Sequence, residues 1–97
     1  MSKQIVGVFK ALSDKTRIDI LRHLLGKKEI ACKELLSNFS LSQPTLSHHF
    51  NKLIGANILN ERKEGVNHIY SINHDYLKKL GIDIQKIVNL KKGDGST

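Results

Sequence analysis

Ninety-seven residues, 39% of them apolar and 26% charged, make one globular domain with a modest core. Lysine and arginine outnumber aspartate and glutamate 16 to 9, and the net charge of +7 favours a polyanionic partner. No run approaches the ~20 apolar residues of a membrane span, no secretory h-region opens the chain, and the lone Cys32 has no intrachain partner, so a reducing cytoplasmic setting is expected.

Ile5, Val8, Phe9 and Leu12 fall at the i, i+3, i+4, i+7 spacing of an amphipathic helix. Ser13 and Asp14 offer capping oxygens to a second helix, KTRIDILRHLLG, which turns Ile18, Leu21 and Leu25 inward and ends at Gly26 as a left-handed C-cap. A short third helix is expected from about Ala31 to Asn38, burying Leu35, Leu36 and Phe39. After Ser40, Leu41 and Ser42, the last of these caps a fourth helix that carries Pro44 in its first turn and runs to about Ala56. Two short helices joined in this way form the helix-turn-helix pattern.

Ile58 and Leu59 then lead into one strand, while Val66, His68, Tyr70 and Ile72 alternate along another. Gly65 and Asn67 both tolerate positive φ, which places a hairpin tip between the strands. A final helix from about Asp75 carries Leu77, Leu80, Ile84, Ile87 and Val88, with Gly81 inside it as a point of close backbone packing. The order α-α-α-α-β-β-α is a mainly α winged helix-turn-helix with a small β-hairpin. Residues 1–92 form the domain, and 93–97 are expected to be a disordered tail.

The fourth helix has an unusual outer face. Leu46, Phe50 and Leu53 make its buried stripe, and between them stand small hydroxyls, amides and imidazoles where Glu and Lys would ordinarily sit. Ser42, Gln43, Thr45, Ser47, His48 and Lys52 can pair with base edges and phosphates in a major groove. No aspartate or glutamate occurs from Leu41 through Leu59, so no carboxylate there repels phosphate. His49 lies beside the buried stripe and is expected to be half-buried and hydrogen-bonded. In the wing, Arg62, Lys63, Asn67 and His68 are candidates for phosphate or minor-groove contact, although Glu61 and Glu64 lie among them.

The stretches FKALSDKTRIDILRHL and LSQPTLSHHFNKLIGANILNERKEGVNHIYSI resemble the ArsR/SmtB family of transcriptional repressors, over a region from about Ile5 to Val88. The resemblance implies a homodimer that holds double-stranded DNA at a pseudo-palindromic operator and leaves it when a signal arrives. It places the interface on the first and last helices, with Ile5, Val8, Phe9, Leu12, Leu77, Leu80, Ile84, Ile87 and Val88 as candidates.

At the family's sensing sites this chain departs. Metal-responsive members carry paired thiolates on the third helix, where Ala31 and Lys33 stand here with Cys32 between them. Others bind zinc through the last helices; here His74 and Asp75 are present early, but Gln85, Lys86 and Asn89 occupy the later turns. No metal or cofactor is therefore expected, and regulation by expression level, by a sequestering protein regulator, by oxidation or by an unidentified inducer is left open. Cys32 is a redox candidate, with a packed, inert thiol as the plainer reading.

Rival functions have little support. No phosphate loop, nucleophile elbow or Cys/His metal constellation points to an enzyme. The two tyrosines and three phenylalanines supply few stacking platforms for single-stranded RNA. The alternative is a winged helix used for protein contacts, or a redox-responsive regulator switched at Cys32.

Overall fold

Local signals placed most of the elements, and tertiary packing added one and split another. In the computed structural model, which describes residues 2–94, α1 (Lys3–Leu12) and α2 (Lys15–Leu25) precede a short strand, β1 (Ile30–Ala31). Then follow α3 (Cys32–Leu36), α4 (Gln43–Gly55), a hairpin of β2 (Leu59–Glu64) and β3 (Asn67–Ile72), α5 (His74–Lys79) and α6 (Ile84–Asp94). The expected tail at 93–97 overlaps the end of α6, and 95–97 lie outside the described residues.

The sheet is antiparallel in the order β1-β3-β2. Ile30 pairs with Tyr70 and Ala31 with Ile69, while β2 and β3 run in register from Leu59 opposite Ile72 to Glu64 opposite Asn67. The wing thus shares its inner strand with the segment that enters α3, which fixes it to the helical body.

The core is built from Val8, Leu12, Ile20, Leu21, Leu24, Leu35, Leu46, Phe50, Leu53, Ile58, Tyr70, Leu77 and Val88, among others. No polar or charged residue is buried among the described residues. The Phe50 ring lies 4.2 Å from that of Tyr70, centroid to centroid, so α4 and the wing meet in one aromatic contact.

Several expectations are corrected. On α2 the buried residues are Ile20, Leu21 and Leu24, while Ile18 and Leu25 are half-buried. Ile18 and Leu25 pack against the edge of the core, and Arg22 reaches α6, donating from Nη2 to the Val88 carbonyl at 2.9 Å and pairing with Asp19 at 2.6 Å. Gly26 sits at φ −82°, in the right-handed region, and gives no left-handed cap. On α3 only Leu35 is fully buried; Leu36 and, just beyond the helix, Phe39 are half-buried, with the Phe39 ring tilted against that of His23 at 5.2 Å between centroids.

The hairpin turns at Gly65 and Val66, with Gly65 alone at positive φ (+62°). That is the position at which a type II′ turn demands glycine. Asn67 already belongs to β3, and Val66, expected on the strand, stands in the turn with 89% of its surface exposed.

The last helix is two helices. Gly81 at φ +77° follows α5, its N–H donates to the Lys78 carbonyl at 3.0 Å, and the Ile82 N–H reaches the Leu77 carbonyl at 2.9 Å. This is a Schellman ending, with Ile82 packing back toward buried Leu77. A Cβ at Gly81 would meet nothing within 4 Å, so conformation selects glycine there, and close packing does not. Asn57 (φ +62°) ends α4 in the same way, through Asn57 N–H to Ile54 and Ile58 N–H to Leu53, both at 2.9 Å.

Candidate nucleic-acid interface

Ser42 opens α4. Its Oγ accepts the Thr45 N–H at 3.3 Å, and its hydroxyl donates to Thr45 Oγ1 at 3.0 Å. Pro44 occupies the first turn, where its missing N–H leaves no intrahelical bond unmade. With Leu46, Phe50 and Leu53 fully buried, the helix cannot roll. Ser42, Gln43, Thr45, His48, Asn51 and Lys52 are held in solvent, and Ser47 is half-buried at the edge of the same face.

His49 is tucked under this face, with 14% of its side chain exposed. Its Nδ1 lies 3.1 Å from Arg17 Nη1 and 3.7 Å from Asp14 Oδ2. Arg17 in turn donates from Nε to the Ala11 carbonyl at 2.6 Å. Asp14 caps α2 by accepting the Arg17 N–H at 3.0 Å. Burial works to raise the Asp14 carboxyl, but that bond and the charges of Arg17 and His49 outweigh it and hold the group below its ordinary range. One knot of three side chains therefore ties α1, α2 and α4 together and sets the angle at which α4 is presented.

The wing is less free than its sequence implies. Arg62 is gripped from two sides: Nη2 and Nε reach Glu29 at 2.6 and 3.3 Å, and Nη1 reaches Glu64 Oε2 at 2.7 Å. The hydrogen bond from Arg62 holds the Glu29 carboxyl below its usual range, and the two carboxylates push the guanidinium further up. His68 Nδ1 lies 2.7 Å from Glu61 Oε2. Of the expected wing contacts, Asn67 is half-buried at the start of β3, and Lys63 is exposed with no ion pair among the described residues. Glu29 escaped the sequence reading because nothing local links it to a residue 33 positions away.

A helix-turn-helix domain model matches residues 12–62, spanning α2 through most of β2. The arsenical resistance operon repressor of Staphylococcus aureus is 39% identical, over 95% of this chain and 96% of its own length. The transcriptional repressor SdpR of Bacillus subtilis is 35% identical, over 91% and 94% respectively. The solved structure of HlyU from Vibrio cholerae superposes with a TM-score of 0.77 at 31% identity, covering 93% of this chain and 97% of that one. The chain belongs to the ArsR/SmtB family.

This ArsR-family protein is thus a DNA-binding transcriptional regulator. Its third helix begins at Cys32, with Ala31 and Lys33 on either side. Among the described residues no group of three or more His, Cys, Asp or Glu stands close enough to hold a metal ion. Cys32 is half-buried, and burial, followed by the nearby Glu61 charge, pushes its thiol above the ordinary range and away from the reactive thiolate. No described helix is long and apolar enough to cross a membrane.

The apolar residues assigned to a dimer interface divide. Val8, Leu12, Leu77, Ile84 and Val88 are buried within their own chain, because so small a core needs them. Ile5, Leu80 and Ile87 are half-buried, and Phe9 keeps 48% of its surface exposed, with Val6 beside it at 38%.

Proposed function

We propose that this regulator is a homodimeric repressor that occupies a pseudo-palindromic operator, laying residues 42–56 into the major groove and residues 59–72 along the flanking backbone. The observation that carries the reading is the outer face of α4. It is exposed, rigidly backed and free of carboxylates from Leu41 through Leu59. Gln43 and Thr45 in the first turn, then Ser47 and His48, supply base-edge donors and acceptors, and Lys52 supplies a phosphate partner. At the wing, Lys63 is the cation available for phosphate.

Dimer formation is supported by the exposed Phe9 and Val6 on α1, since a chain with this modest core gains from covering them. A twofold dimer then sets two recognition helices about 10 bp apart, or a multiple of that, on the operator. The relatives named for arsenical resistance suggest a metalloid signal, but the Ala31-Cys32-Lys33 sequence lacks the paired thiolates that soft metals favour. The inducer is accordingly assigned to a ligand or protein of another kind.

Selection of bound fragments from genomic DNA by the purified protein tests the reading. A symmetric motif protected by a dimer, as measured by footprinting and light scattering, is the expected result. Binding without any enriched sequence would overturn it.

A further inference from the structure

The outer face of α4 does not end at its last turn. An open groove of about 480 Å³ lies between α1 and α4, lined by Lys10, Arg17, Asn51 and Lys52 together with the small residues Gly7 and Gly55. It runs on into a second hollow of about 350 Å³ that shares both glycines and has Lys3 at its edge. No aspartate or glutamate lines either hollow. A Cβ built on Gly7 or Gly55 would meet nothing within 4 Å, so the space over both residues is open.

The cations here differ from a scattering of surface lysines. Arg17 is immobilised by its bonds to the Ala11 carbonyl and to His49, both uncharged acceptors when His49 is neutral, and its Nη2 has no hydrogen-bond partner among the described residues. Asp14 lies near enough to feel its charge but forms no ion pair with it. Lys10 and Lys52 form no ion pair among the described residues either. Lys52 stands one helical turn beyond His48, on the side of α4 that faces solvent. A pre-fixed guanidinium, two ammonium groups and an unobstructed glycine surface suit a phosphate diester, whose backbone can approach closely where side chains are missing.

We propose that this α1–α4 groove is a second DNA-contact site, seating a backbone phosphate of the duplex beside the groove read by α4. The proposal rests on the DNA-binding reading above and adds Lys10 and Arg17 to it. It also gives the Arg17–His49 knot a second task, because the side chain that orients α4 is then the one that grips the phosphate.

The test uses the full-length protein and a labelled duplex of arbitrary sequence, with affinity followed over a salt series. Gly7→Glu puts a carboxylate into the groove while removing a helix-interior glycine, so it should fold more stably than the parent yet bind DNA more weakly. Gly7→Gln, its neutral counterpart, should share the added stability and bind much more tightly than the Glu variant. Lys10→Ala should flatten the slope of log Kobs against log salt by about 0.9 and weaken binding about eightfold at ~0.1 M salt.

Equal losses in Gly7→Glu and Gly7→Gln, or an unchanged slope in Lys10→Ala, would overturn the site. So would loss of subunit association in both Gly7 variants by light scattering, since the groove would then seat a second copy of the chain. A parent protein that binds no duplex at any salt would refute the DNA reading itself, an outcome distinct from these.

Discussion

Replacing Glu29 with glutamine removes one of the two carboxylates that hold the wing's arginine. Arg62 with Glu29 and Glu64 carries a formal charge of +1 − 2 = −1, which the nearby Lys28 offsets, so the two carboxylates engage the guanidinium that would otherwise meet a phosphate. The substitution removes one negative charge and one of the two acceptors facing Nε and Nη2, so the guanidinium keeps the Glu64 contact at 2.7 Å and at most one neutral bond to the amide oxygen at position 29. A fully released arginine would neutralise one further phosphate, steepening the salt slope by about 0.9 and tightening binding about eightfold at ~0.1 M salt. Glu64 still competes, so the expected gain lies between about twofold and about eightfold, with a proportionate change in slope. Fluorescence anisotropy with a labelled duplex over a salt series measures both quantities. Unchanged or weaker binding by Glu29→Gln, with a slope no steeper than the parent's, would refute this reasoning and would mean that Glu29 positions the wing instead of masking it.

Ser47→Glu or His48→Glu should abolish sequence-specific binding, read by competition with unrelated DNA, because either places a carboxylate against bases and phosphates. Lys63→Ala should weaken binding to all sequences alike and reduce the slope by about 0.9, whereas Arg62→Gln should reduce it by much less. Gly81→Ala meets no steric obstacle, so its cost in urea denaturation should be the left-handed backbone strain alone, about 1 kcal/mol. The Asp14 carboxyl is depressed in the folded chain. Its stabilising contribution is therefore present above its unfolded pKa, near 3.8, and is lost as pH falls through the lower folded value. Acid unfolding followed by circular dichroism should show this loss in the parent and a flatter profile in Asp14→Asn, which keeps the capping oxygen.

Much of the geometry of the candidate interface was legible from local pattern. The spacing of Leu46, Phe50 and Leu53 orients α4 by itself, and Ser42 with Pro44 marks where it starts, because caps and periodicity act within one or two turns. The half-buried, bonded His49 was also readable, since it flanks that stripe. The strand at Ile30 and Ala31 was not. Two residues carry no period, and the strand exists because β3 offers it Tyr70 and Ile69. Gly81 was misread in kind: a glycine within a helical repeat can be a packing contact or a left-handed stop, and only the backbone angle separates them.

By itself the sequence determined the succession of helices and the hairpin, the buried stripe of each main helix and the absence of carboxylates from α4, all properties of neighbours along the chain. Only the tertiary structure decided which charges remain available to a partner. Glu29 reaches Arg62 across 33 residues and Arg17 reaches His49 across 32, and such pairings come from how packed elements meet, which no local spacing encodes. The same holds for the apolar positions at the two ends of the chain. Periodicity showed that Val8, Leu77 and Val88 must be covered, and packing showed that their own chain covers them.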